Sequence, residues 1–221
     1  MHKSVTNLTI IEKQINDKIL NKEIEKKINI IAVSKTFPIE DIKPLINYGH
    51  IHYGENKVQE AIEKWTNIKN ENKNIKLHFI GKLQTNKVKY ILPLFDFIHS
   101  LDNIKLAQKI SLEQIKKNFK PKIFIQVNIG NEIQKGGINI DELGSFIKLC
   151  RETYNLDIIG LMCIPPNDEK ISFYFEELNK LNKQFKFEEL SMGMSNDYIL
   201  AINNGATFIR VGSKIFGERI K

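Results

Sequence analysis

Cysteine is scarce in this chain: Cys150 and Cys163 are the only two, they form no C-x-x-C pair, and no ligand cluster surrounds them. That excludes a disulfide framework and a cysteine-based zinc site, and it suits reduced thiols in the cytoplasm. No run is long and apolar enough to span a membrane, and the first 27 residues hold no uninterrupted apolar stretch of the kind an export signal needs. Arginine-rich tracts and basic segments interleaved with aromatics are missing too. The net charge of +7 and pI near 9.2 favour polyanions in general, but the lysines are spread along the whole chain, so no dedicated nucleic-acid partner is expected. No Gly-rich turn follows the first strand-like run, which disfavours a dinucleotide-binding sheet. Ser195 has no G-x-S-x-G context, which removes a hydrolase elbow.

What is present is alternation. Short apolar runs rich in β-branched and aromatic residues occupy 28–36, 50–56, 76–81, 95–101, 122–129, 157–163, 189–195 and 207–213, and each leads into a segment of helical period or a short substitute. Eight such units are the number that closes a parallel barrel, whose strands are buried on both faces and so read as continuous apolar runs. Among the helices, one is expected over 56–69 and one over 139–154. Gly49 and Gly205 fall just past two others, where a left-handed residue ends a helix. The expectation is an α/β protein with a single domain over residues 1–221: a (β/α)8 TIM-type barrel with an extra N-terminal helix over residues 1–26 lying outside it. A doubly wound open sheet is the rival, since it alternates in the same way.

In such a barrel the chemistry gathers where strands finish. The positions there are Lys35, Asn56, Gly81, Ser100, Asn128, Cys163, Ser195 and Gly212, mostly small or polar, as a ligand-lined mouth requires. A lysine at a strand end ordinarily snorkels into solvent; partly desolvated, its amine becomes nucleophilic towards an aldehyde. Lys35 alone does not decide between these. Ser195 or Asn196 is placed to cap the helix that follows, leaving N–H groups for an anion. Gly212 and Ser213 follow the eighth strand, and barrels frequently hold phosphate between the loops after strands seven and eight. Arg210, inside an apolar strand, meets either a carboxylate such as Glu55 or a ligand at the mouth. His50 and His52 alternate and share a face without a partner set for a metal, whereas His78, His99 and Cys163 read as core.

AVSKT, GEN at 54–56, HFIG-x-LQ-x-NK at 78–87, SMGMS at 191–195 and RVGS-x-IFG at 210–217 resemble the pyridoxal phosphate homeostasis protein family, which is similar to the barrel domain of alanine racemase-type enzymes. The match runs in order from about Ile30 to Arg219. By that resemblance the cofactor is pyridoxal 5′-phosphate (PLP), held as a Schiff base on Lys35. Ser195, with N–H groups near Gly212 and Ser213, would hold the phosphate, Arg210 would face the pyridine nitrogen, and Asn56 would lie beside the ring. The IQKGG segment looks like the family's lysine-containing loop, making Lys135 an accessory contact. Phe37 departs from the pattern, standing where many members carry a second basic residue; this counts against a transfer step that needs a lysine beside the Schiff base.

An arginine at the ring nitrogen stays charged and donates to an unprotonated nitrogen, which weakens the electron sink on which PLP catalysis depends. The chain also ends at Lys221, just after the eighth unit, where racemases of this architecture continue into a second domain bearing another base. The functional expectation is therefore a PLP-binding protein of intracellular vitamin B6 and amino-acid homeostasis without robust turnover, not an enzyme. PLP-dependent client enzymes are its expected partners, no membrane is involved, and the protein is a monomer or weak homodimer. A racemase-type enzyme and a basic barrel binding nucleic acid are the alternatives.

Overall fold

A computed structural model of the chain describes residues 2–21, 26–132 and 134–218. Among them the apolar runs form β1 (Asn29–Val33), β2 (His52–Glu55), β3 (Lys76–Phe79), β4 (Phe97–Leu101), β5 (Lys122–Gln126), β6 (Asp157–Met162), β7 (Glu189–Met194) and β8 (Phe208–Val211). Each pairs in parallel with the next, and β8 returns to β1 in the register Asn29 with Phe208 through Ala32 with Val211. The sheet is closed, so the fold is a TIM-type barrel and the open doubly wound alternative is excluded. The strands are shorter than the apolar runs. Apolar patterning marks burial, whereas a strand stops where its ladder bonds stop; β1 ends at Val33 although burial continues through Ser34.

The helix expected over residues 1–26 is α1 (Lys3–Leu20), with Met1 and residues 22–25 lying outside the described residues. It stops at Leu20, and the C-cap Asn21, first residue of the polar NKEIEKK stretch, donates its N–H to Asp17 O. Ser4, Val5, Leu8, Ile11 and Ile15 make a helical stripe that is buried outside the barrel, against α2 (Ile39–Tyr48) and α9 (Ser213–Phe216). Asn7 Nδ2 donates to Ile215 O at 2.9 Å and pins the contact. The remaining helices are α3 (Val58–Glu71), α4 (Val88–Ile91), α5 (Ile104–Lys117), α6 (Leu143–Lys148), α7 (Ile171–Gln184) and α8 (Tyr198–Asn203). The helix expected from 139 begins only at Leu143 and finishes as a π turn over Leu149–Thr153. Gly49 and Gly205 have φ of 98° and 92°, in the left-handed positions expected of them.

Apolar side chains form two layers. The larger lies between strands and helices, and the smaller fills the barrel with Ile31, Val33, Phe97, Phe124, Met162 and Phe208. The Phe208 ring sits 5.4 to 6.2 Å from those of Phe97, Phe124, His52, His78 and His99, so the centre is an aromatic stack and not a pore. Near the end of β7 the register against β8 shifts between Ser191 and Met194. Gly193 makes this possible: its φ is 89°, and a Cβ there would lie 2.5 Å from Ala201 Cβ on α8. Gly193→Ala is expected to lower stability by about 3 kcal/mol, from left-handed strain plus overpacking. Gly144→Ala on α6, where the new methyl meets only the Phe185 ring at 3.6 Å, is expected to change it by no more than about 0.5–1 kcal/mol, in the stabilising direction. Urea midpoints at constant slope measure both.

Candidate functional site

The segment after β1 is held from both sides. Thr36 takes φ of 70°, a costly conformation for a β-branched residue. Its N–H donates to Glu60 Oε1 on α3 at 2.6 Å. One turn further along α3, Lys64 Nζ donates at 3.0 Å to Ser34 O, to Glu55 Oε1 and to Glu60 Oε1. Glu55, fully buried at the end of β2, also accepts from Ser34 Oγ at 2.7 Å and from Trp65 Nε1 at 2.9 Å. Lys35 lies between Ser34 and Thr36, so the same ion cluster fixes the backbone on either side of it. Burial would raise the Glu60 pKa, but the Lys64 ammonium and the Thr36 N–H outweigh it and hold the carboxyl below its ordinary value of 4.5.

Glu55 being engaged by Lys64 and Trp65, it is not the partner of Arg210. The buried Arg210 donates through Nη1 to Ser191 Oγ at 2.7 Å and through Nη2 to Cys163 O at 2.9 Å. Burial lowers its pKa, with Asp197 acting in the opposite sense. A buried guanidinium bonded to a hydroxyl and a carbonyl keeps an uncompensated charge, which favours an acceptor on its open side. Ser195 Oγ accepts from the N–H of Gly212 at 3.3 Å and of Lys214 at 3.4 Å. It therefore does not cap the following helix; α8 begins after Asp197, and Asp197 Oδ1 accepts from the Met194 N–H at 2.5 Å. Past the bulge in β7, Ser195 instead reaches across to the turn that follows β8.

These groups surround one cavity of about 560 Å³ at the C-terminal mouth of the barrel, lined by Lys35, Arg210, Ser195, Gly212 and Ser213 among others. Five of the six residues singled out in the sequence thus meet. The sixth, Asn56, is not in the wall, although Gly81, beside the wall residue Ile80, packs so closely on it that a Cβ would come within 2.4 Å of Asn56 O. Asn56 Oδ1 is buried without a hydrogen-bond partner, an acceptor left over for a donor. Sequence reasoning missed the wall from Ile164 to Asn167 after β6. The Pro165-Pro166 pair was its signal, a rigid exit from a strand end.

Residues 14–220 match the family model described as alanine racemase, N-terminal domain. The pyridoxal phosphate homeostasis protein of Aquifex aeolicus is 41% identical over 199 residues, 86% of either chain. That of Pasteurella multocida is 36% identical over 225 residues, 96% of either chain.

The chain belongs to the pyridoxal phosphate homeostasis protein family.

PipY of Synechococcus elongatus, solved with PLP bound, is 33% identical with a TM-score of 0.77, over 90% of this chain and 96% of that one. Its structure without PLP superposes with a TM-score of 0.84. Alanine racemase of Clostridium difficile, 14% identical with a TM-score of 0.73, shares the fold over 56% of its own length.

Of the two loop residues that the family resemblance singled out, Lys135 looks different in three dimensions and Phe37 does not. Lys135 Nζ is turned to Glu132 Oε2 at 2.5 Å and Pro165 O at 3.2 Å, on the rim and not in the cavity wall; Ile133 of the same loop lies outside the described residues, as does Arg219 at the end of the matched motifs. Phe37 lines the cavity and stacks on Phe216, ring centres 4.8 Å apart, so an apolar pair occupies the place of a second base. His50 and His52 do not share a face. His50 precedes β2, bonds His52 O at 2.9 Å and sets its ring edge to Tyr53, whereas His52 points into the barrel towards His78. Cys163 is fully buried, and burial pushes its thiol up to about 12, as a core cysteine requires.

Glu60→Gln keeps the shape of the clamp and removes its charge. Because the Glu60 pKa is depressed in the folded protein, its contribution is complete above the ordinary value of 4.5 and is lost as pH falls through the lower folded value. The variant is expected to be less stable than the parent by about 1 kcal/mol at neutral pH. In urea titrations repeated at progressively lower pH beneath 4.5, that difference should shrink.

Proposed function

We propose that this protein binds PLP through a Schiff base on Lys35 and acts as a carrier or buffer in vitamin B6 and amino-acid homeostasis, without steady turnover. The observation that carries the reading is the convergence of Lys35, Arg210 and the Ser195–Gly212 turn on one cavity of about 560 Å³. The donor set suits the cofactor part by part. Lys35 offers an amine at the end of a clamped turn. Ser195 Oγ, Ser213 and the backbone around Gly212 offer a seat for a phosphate, and Asn56 Oδ1 is a spare acceptor beside the wall. PLP bound to PipY, and the naming of relatives that match across most of their length, support the same reading.

When bound, PLP would supply an aldehyde and an electron sink. Arg210 lines the site as a charged donor, so it would favour an unprotonated ring nitrogen and would leave the sink weak. The apolar Phe37–Phe216 pair adds no base to the mouth. Both features favour holding PLP over turning amino acids over with it. In this reading residues 1–221 act as one domain, the partners are PLP and the PLP-dependent enzymes that receive it, and the buried thiols Cys150 and Cys163 suit the cytoplasm.

The purified protein should show a visible Schiff-base band that Lys35→Ala abolishes, and borohydride reduction should leave the cofactor on the peptide containing Lys35. A label on another lysine, with Lys35 unmodified, would reject the site. Incubating the PLP-loaded protein with L- and D-amino acids should give no sustained interconversion; steady turnover that Lys35→Ala removes would make it an enzyme.

A further inference from the structure

The barrel lumen contains a polar line that the PLP site does not account for. His52 Nδ1 lies 2.9 Å from His78 Nε2, His78 Nδ1 lies 2.9 Å from His99 Nε2, and His99 Nδ1 lies 2.9 Å from Ser191 Oγ, which accepts from Arg210 at 2.7 Å. Four strands contribute, and the line runs from the mouth opposite the Lys35 cavity to the arginine that faces it. Its outer end, His52, borders a cavity of about 640 Å³ formed by the starts of the strands. Stacking holds the rings in place: His78 on Phe97 at 4.2 Å and His99 on Phe124 at 4.4 Å.

A neutral imidazole has one donor and one acceptor nitrogen, so a line of this kind has only two states. With the protons on Nδ1, His99 donates to Ser191 Oγ. The hydroxyl then accepts twice, from His99 and Arg210, and its own proton has no partner in a residue that is fully buried. Leaving such a group unpaired costs about 1–3 kcal/mol. With the protons on Nε2, Ser191 accepts from Arg210 and donates to His99, each inner N–H meets a ring nitrogen, and the last N–H, on half-buried His52, faces the opposite mouth. This second state also points the acceptor ends of three aligned dipoles towards the buried guanidinium. Satisfaction and electrostatics choose the same polarity.

We propose that His52, His78 and His99, all in the Nε2–H form, are positioning residues that hold Ser191 as the acceptor of Arg210, so that the arginine at the PLP cavity is set from the far end of the barrel. The link to PLP rests on the function proposed above; the polarity of the line does not. A histidine bearing both protons is incompatible with this state, because a protonated His52 would have to donate to His78 and so reverse every bond as far as Ser191. The surroundings keep the line neutral. Burial lowers the His52 pKa to about 4, helped by His50, Lys27 and Lys76, with Asp96 opposing; Lys26, Lys122, Glu188 and Glu189 complete its cavity. Burial, with the other histidines and Lys69, holds His78 well below its ordinary value, and burial with Arg210 and His52 does so for His99.

The experiment is ring-nitrogen NMR of ¹⁵N-histidine-labelled, PLP-free protein near pH 7, followed by PLP titration of His52→Asn and His52→Phe. Protonated Nε2 and hydrogen-bonded, unprotonated Nδ1 at His52, His78 and His99 are expected; Nδ1–H at any of the three, or two averaging forms, overturns the proposal. The His52→Asn variant keeps an amide oxygen as acceptor for His78 and so should preserve the wild-type tautomers of His78 and His99 and the PLP affinity. His52→Phe removes that acceptor; His78 and His99 should then populate both forms, and PLP binding should weaken by roughly fivefold. Equal effects of the two substitutions with unchanged tautomers would reduce the line to packing. The wild-type spectrum decides the polarity even if the Phe variant does not fold, and a protein that takes up no PLP would end the functional reading and leave that spectrum to judge the line.

Discussion

The parallel pairing of β1 with β8 is the contact on which the site depends. It sets Ile31 opposite Arg210 and Ala32 opposite Val211, and so brings Lys35, just beyond β1, to the same rim as Gly212 and Ser213. The remaining strands lie in chain order between these two, so the ends of the sequence meet only because the barrel closes. Without closure Lys35 and the Gly212–Ser213 turn would lie at opposite edges of an open sheet. The α1 helix reinforces the seam from outside, covering α2 and α9, the helices that follow the two seam strands.

Around this seam the protein treats two buried charges in opposite ways. Glu55 is neutralised by a cation: Lys64, Trp65 and Ser34 all donate to its Oε1, and the cluster extends through Glu60 to the strained Thr36. Such an arrangement is rigid, and its work is to fix a backbone. Arg210 is undersaturated, bonded to a hydroxyl and a carbonyl and open to the cavity. A buried cation left in that condition is destabilising unless something else completes its environment. The lumen completes it from behind with neutral dipoles, and the mouth leaves its other side for a ligand. Lys35 and Arg210 thus belong to one constellation, the first held by ions, the second by oriented imidazoles.

Much of this was legible in the chain. The continuous apolar runs identify strands buried on both faces, and their number leads to a barrel. Lys35, Ser195 and Gly212 stood out as small or polar residues ending those runs, Ser213 as the neighbour of Gly212 and Arg210 as a charge inside an apolar strand, and the structure gathers all five. Less legible were features that depend on which way a side chain turns. Ser195 or Asn196 was placed to cap α8, yet that helix has no side-chain cap and Ser195 reaches the turn after β8; Asn56 stands beside the cavity wall and not in it. Lys135 sits near the mouth in sequence but is drawn to Glu132 and Pro165.

By itself, then, the sequence determined the period and number of the strands, the absence of disulfide pairing and part of the mouth, the small and polar residues at the strand ends, because these follow from local composition and spacing. Only the tertiary structure decided who pairs with whom. Glu55 and Arg210 are the two charges that sequence logic would join, and folding keeps them apart. His52, His78 and His99, on three separate strands and unremarkable one by one, become a single line only when the sheet curls on itself. Pairwise contacts across a closed barrel are set by its stagger and by the bulges in its strands, and neither is encoded in any one run of residues.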